Sequence, residues 1–176
     1  MVSERLRMWS ALLLACITVV PRPAMPKPLN EVVSADHVFA QMSRMVGTWK
    51  PADEPESPLR IHFYLTAGDT VLVESWLRGT QPHSLTLYHR DGAELIATHY
   101  CPQGNQPRLV LSGRDKLGLH FALRDATDLD TQTEAHQHDL WFDFTDPHHP
   151  VRSEVYYNEN MAGPIERIQL VRAEKR

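Results

Sequence analysis

From Leu59 to Arg172 the sequence alternates between apolar and other side chains with a period of two, broken by short polar turns and one acidic loop. Leu59, Ile61, Phe63 and Leu65 alternate with Arg60, His62 and Tyr64, and after an Ala67-Gly68-Asp69 turn Val71, Val73, Ser75 and Leu77 alternate with Leu72, Glu74, Trp76 and Arg78. Ser84 to Arg90 and Glu94 to Cys101 flank Asp91-Gly92, a hairpin signal because both central positions favour φ > 0. Pro107 to Ser112 and Leu117 to Arg124 precede the acidic loop Asp125 to Glu134, and His136 to Phe144, Val151 to Tyr157 and Ile165 to Arg172 follow it. With a short strand at Thr48 to Lys50 this makes about ten strands. No strand–helix–strand alternation appears, so the sheet is expected to be antiparallel. A sheet with one apolar face must close on itself or stack on another, and closure removes its edges. The expectation is an all-β, up-and-down antiparallel barrel; the alternative is a two-sheet sandwich.

Before the strands, Val38, Phe39, Met42 and Met45 have helical spacing, with Ser34 or Asp36 as cap and Gly47 as terminator. One short helix is therefore expected over 36–45. Residues 1–30 differ from the rest. Arg5 and Arg7 precede an uncharged run, Met8 to Val20, and four prolines (Pro21, Pro23, Pro26, Pro28) follow it. This is the layout of a signal peptide with a Pro-rich linker, and the run is too short to span a bilayer, which needs about 20 residues. The chain is thus expected to be exported, periplasmic or extracellular. Leu13-Leu14-Ala15-Cys16 resembles a bacterial lipobox, which would make Cys16 a lipid anchor; cleavage near Ala24 is the rival.

The remaining residues 31–176 suit one domain. The whole chain has 18 basic and 22 acidic residues; without residues 1–30 the balance is 14 to 21, a net charge of −7. Such a balance excludes the basic footprint of a nucleic-acid binder. All ten histidines remain, with a single cysteine, Cys101, so no internal disulfide is expected.

Side chains alternate between the faces of a strand, so parity selects the residues that line the interior. In 94–101, Leu95 and Ala97 share a face with His99 and Cys101. In 84–90, Leu85 and Leu87 mark the expected inner face, with His83 and His89; a three-residue loop, Asp91 to Ala93, reconciles the two strands. In 136–144, Asp139 and Asp143 place the odd face in water and turn His136 and His138 inward with Leu140, Phe142 and Phe144. His99, Cys101, His136 and His138 then form a polar patch in an apolar interior, the usual make-up of a small-molecule site. Asn105 lies in the adjoining polar loop, as a ligand cap or a turn former.

Three chemistries could use this patch. Two imidazoles in His-x-His stand roughly 7 Å apart along a strand, and His99 and Cys101 are suitable further zinc ligands. A haem would need one axial histidine and a large apolar cavity. A covalent enzyme would pair Cys101 with a histidine base, but no nucleophile-elbow or oxyanion motif accompanies it, and no catalytic residue is assigned.

Gly47-Thr48-Trp49, after a short helix and opening the first strand, resembles the Gly-x-Trp signature of the calycin superfamily, which includes lipocalins and ten-stranded nitrobindin-type haem barrels. The resemblance implies a calycin-like barrel whose tryptophan packs at the closed end against an arginine of the last strand, here Trp49 and Arg172. No residue matches the nitrobindin haem ligand. Thr98-His99-Tyr100-Cys101, Gly104-Asn105-Gln106-Pro107 and His136-x-His138 are similar to recurring stretches in a family of secreted bacterial proteins without assigned activity. The resulting expectation is an exported barrel binding a small, mainly apolar molecule through His99, Cys101, His136, His138 and Asn105. A metal- or haem-dependent protein using the patch, and a structural or partner-binding envelope protein with a filled barrel, are the alternatives.

Overall fold

The computed structural model describes residues 33–173. The expected export segment and Cys16 lie outside them. A helix, α1 (Ala35–Met42), continues into one 3₁₀ turn, Ser43–Met45. Eleven strands follow: β1 (Gly47–Pro51), β2 (Leu59–Thr66), β3 (Val71–Arg78), β4 (Gln81–Asp91), β5 (Glu94–Tyr100), β6 (Gln106–Asp115), β7 (Gly118–Thr127), β8 (His136–Asp143), β9 (Val151–Asn158), β10 (Met161–Ala162) and β11 (Glu166–Arg172). All pairings are antiparallel. Each strand from β1 to β9 pairs with the next, β9 pairs with β11, and β11 returns to β1. Ten strands thus close into a barrel, and the two-residue β10 is an extra rung on β9.

Gly47 shows why the closed end has this sequence. Its φ is +130°, and a Cβ there would stand 2.2 Å from Nη1 of Arg172. That guanidinium lies 4.1 Å from the centre of the Trp49 ring and donates to the carbonyls of Val46 (2.6 Å) and Arg44 (3.0 Å). Trp49 and Arg172 are register partners, and the Trp49 indole donates to the Met45 carbonyl at 2.6 Å. Helix, first strand and last strand are therefore tied together at one point. Ala35, Val38, Met42 and Met45 cover this end and join a core of Trp49, Phe63, Leu72, Leu95, Leu119, Phe121 and Phe142. Each of the Val, Leu, Met and Phe side chains among them contributes about 1.5–3 kcal/mol by leaving water.

The β4–β5 hairpin corrects one expectation. Asp91 pairs with Glu94, so the loop has two central residues, Gly92 (φ +59°) and Ala93, instead of three. Glycine at the first central position is what a mirror-type turn requires. Even positions of β4 consequently face odd positions of β5: Thr86 pairs with His99 and Tyr88 with Ala97. Thr86 and Tyr88 are buried, whereas Leu85 and Leu87 are only half-buried and His83 and His89 are not buried. The two leucines suggested the wrong face because they cover the outer wall.

A second correction lies in β8. Its register against β9 shifts between Gln137 and Asp139, a bulge with His138 as the extra residue. Leu140 and Phe142 point inward as expected, but beyond the bulge the phase reverses. Gln137 turns in and bonds Glu154, while His136 and His138 lie on the other face against Tyr157.

Candidate functional site

The interior has two layers. The end under α1 is filled with apolar side chains. Toward the opposite mouth the inward positions become polar: Glu74 and Trp76 on β3, Thr86 on β4, His99 on β5, Gln137 on β8, and Arg152, Glu154 and Tyr156 on β9. Tyr88 joins the layers. Its ring packs edge-to-face on Phe121 and Phe142, at 5.9 and 6.0 Å between centroids, while its hydroxyl donates to Oε2 of Glu74.

Glu74 is 0% exposed and Arg152 2%. The Trp76 indole donates to Oε1 of Glu74 at 2.5 Å, and Arg152 Nε lies 2.7 Å from the same oxygen, an ion contact without the alignment of a hydrogen bond. On its other side Arg152 meets Glu154 Oε2 at 3.0 Å, an oxygen that also accepts from Gln137 Nε2 at 2.7 Å. The guanidinium lies 4.8 Å from the Trp76 ring centre. Burial alone would make Glu154 a weaker acid, but the Arg152 charge together with the hydrogen bonds from Gln137 and Arg152 outweighs this and holds its carboxyl below the usual range. Burial alone would also favour neutral Arg152, yet the two carboxylates keep it firmly protonated.

Above this floor sits His99, 3% exposed. Its Nδ1 shares a hydrogen bond with Thr86 Oγ1 at 2.9 Å and its Nε2 one with Tyr156 OH at 3.1 Å. A neutral imidazole carries one N–H, so one hydroxyl accepts and the other donates. Burial, reinforced by the nearby Arg152 charge, lowers the His99 pKa from 6.5 to about 4, and the ring is neutral at pH 7. Burial and then Glu154 push the Tyr156 phenol well above its ordinary value. Cys101, just past β5, is buried, which raises its thiol pKa. Trp76, His99, Cys101, Arg152, Glu154 and Tyr156 line a pocket of about 330 Å³ at the mouth, with Arg78, His83 and Glu166 at its rim. A larger concavity, about 1190 Å³, lies on the outer wall around Lys50, Arg60 and His62. No buried polar side chain lines it, so the mouth pocket is the better candidate.

Of the residues expected from the sequence, His99 and Cys101 share this pocket. Asn105 is fully buried but structural in its contacts: Nδ2 donates to the Ala135 carbonyl at 3.0 Å, and its main-chain carbonyl accepts from the Cys101 N–H at 3.1 Å. His136 and His138 do not join them. His138 stacks on Tyr157 at 3.8 Å and shares a hydrogen bond with Asp139 at 2.9 Å; Asp139 also binds His120 (2.6 Å), whose ring stacks on Trp141 at 4.5 Å. Burial opposes ionisation of Asp139, but its two histidine hydrogen bonds outweigh that and hold its pKa low.

The four proposed metal candidates are therefore divided between two faces, and among the described residues no group of three or more His, Cys, Asp or Glu stands in metal-binding reach. Haem fits no better. The inward histidine has both nitrogens engaged, and the pocket beside it is small and floored by charges. The sequence reading missed Glu74, Trp76, Thr86, Arg152, Glu154 and Tyr156. Its available signal was a charged residue at inward parity: Glu74 between Leu72 and Trp76, and Arg152, Glu154 and Tyr156 on one face of β9. Comparison with protein-family models and with curated proteins returns no match to this chain.

Proposed function

We propose that this protein binds a small molecule in the mouth of its barrel, the ligand resting on the Arg152–Glu154 floor between Trp76, His99 and Tyr156. The observation that carries this reading is an ion triad at the floor of an open pocket, with Glu74 and Arg152 buried and Glu154 12% exposed. Taking each ion out of water costs several kcal/mol, and apolar side chains of similar volume usually stabilise as well or better. A barrel with no task beyond holding its wall would continue the apolar packing of its closed end up to the mouth. The charged floor makes the ligand's inner end polar, a departure from the mainly apolar molecule expected from sequence, while Trp76, Pro102 and Tyr156 offer its body apolar walls. The basic start, apolar run and Pro-rich exit of residues 1–30 support binding outside the cytoplasm.

A fragment library screened by NMR tests this reading. Hits should shift the Trp76 indole and His99 ring signals together, and Tyr156→Ala should weaken them. A library that leaves both signals unmoved would refute mouth binding.

A further inference from the structure

The triad is unbalanced. Glu74 and Glu154 bring two carboxylates against the single guanidinium of Arg152. Besides Arg152, Glu74 accepts from the Trp76 indole and the Tyr88 hydroxyl. No neighbour makes up the missing positive charge: His99 is neutral and Tyr156 keeps its proton. At the rim Arg78 and Glu166 carry one charge each of opposite sign, and His83 is exposed to solvent. The surplus is presented to the pocket by Glu154. Its two contacts among the described residues both engage Oε2, so Oε1 is left to meet a ligand. Around it stand three rings, with His99 and Tyr156 edge-to-face at 6.4 Å and Trp76 already accepting one cation, Arg152, on its ring. An aromatic wall beside an unneutralised carboxylate favours a positive charge twice, through the ring quadrupoles and through direct Coulomb attraction in a partly dry site.

Resting on the small-molecule reading above, we propose that the pocket takes an organic monocation, an ammonium group on a small apolar body, with Glu154 as its counter-ion and Trp76 and Tyr156 as its walls. An ammonium at Glu154 Oε1 balances the triad, and the Arg152 guanidinium that shares the floor is already countered by Glu74 and Glu154. The same site disfavours carboxylate and phosphate ligands: Arg152 is already engaged by Glu74 and Glu154, and the rim cation Arg78 is matched in formal charge by Glu166.

Isothermal titration calorimetry on the purified full chain at pH 7.5 tests the charge preference with three compounds of similar shape: phenethylammonium, 2-phenylethanol and 3-phenylpropionate. The ammonium should bind at least about tenfold more tightly than the alcohol, and the carboxylate most weakly. Glu154→Gln, which keeps an oxygen for Gln137 and Arg152, should reduce the ammonium to the level of the alcohol. Should that variant fail to fold, the ranking on the unaltered protein decides. Equal or tighter binding of the alcohol or the carboxylate overturns the inference while leaving mouth binding intact. No detectable ammonium binding at millimolar concentration also overturns it, and the fragment screen then judges the parent reading separately.

Discussion

His99 makes the stability of this protein depend on pH in a direction and by an amount that follow from its surroundings. In the barrel its pKa is lowered from 6.5 to about 4 by burial and by Arg152. The unfolded chain regains the ordinary value, so between about pH 6.5 and pH 4 the unfolded state carries a proton at this position that the folded state does not. Stability therefore falls as pH drops through this window. At about 1.4 kcal/mol per pKa unit the full loss is about 3 kcal/mol, a large part of the 5–15 kcal/mol typical of a domain. Other groups titrate over the same range, so the measurement is a difference. Urea unfolding of the natural protein and of His99→Gln is followed from pH 7.5 to pH 4, the glutamine retaining a donor and an acceptor for Thr86 and Tyr156. The two stability curves should converge by about 3 kcal/mol toward the acid end, and NMR titration should find His99 neutral at pH 5.5. Parallel curves, or an imidazole that takes up its proton near pH 6.5, would refute the argument.

Four further outcomes can be checked. Arg152→Met should cost about 3–5 kcal/mol in urea unfolding, because it strands two buried carboxylates, and adding Glu154→Gln should recover part of it; a loss below about 1 kcal/mol would show the charges to be uncoupled. Gly47→Ala should lower stability by about 1–3 kcal/mol or more, since φ is +130° and the new Cβ meets Arg172 at 2.2 Å; an unchanged thermal midpoint would contradict the described closure. Cys101, buried and with a raised pKa, should react with iodoacetamide at pH 8 more slowly than a free peptide thiol, and equal rates would show the pocket open to it. Replacing His136 and His138 together by alanine should leave binding of mouth fragments unchanged, whereas its loss would mean that the β8 bulge does not hold in solution.

The barrel was legible because its signal is repeated: about ten stretches obey the same period, and an error in one leaves the others standing. Parity within one stretch has no such redundancy. In β4 the choice rested on Leu85 and Leu87, which cover the outer wall, against Thr86, whose hydroxyl is satisfied by a histidine from the next strand. In β8 the even residues His136 and Leu140 look like one face, yet the bulge at His138 separates them, and no local composition marks it. His99 and Cys101 were recoverable because β5 is regular throughout. The ion triad was not, since Glu74 comes from β3 and Arg152 and Glu154 from β9, far apart in the chain. A buried charge reads as a solvated one until its partner is known.

The bulge in β8 has company. Three of the four register irregularities in the barrel, near Trp76, Arg108 and His138, fall in the half of the wall nearer the mouth. A strand with such a break is two segments whose inside and outside are assigned independently. The segment under α1 is locked in phase by the core, whereas the segment at the mouth can gain or lose a residue and present its opposite set of side chains to the pocket without moving Leu140 or Phe142. Single-residue insertions and deletions, ruinous in an ordinary core strand, would here change which side chains line the mouth while the core beneath stays as it is.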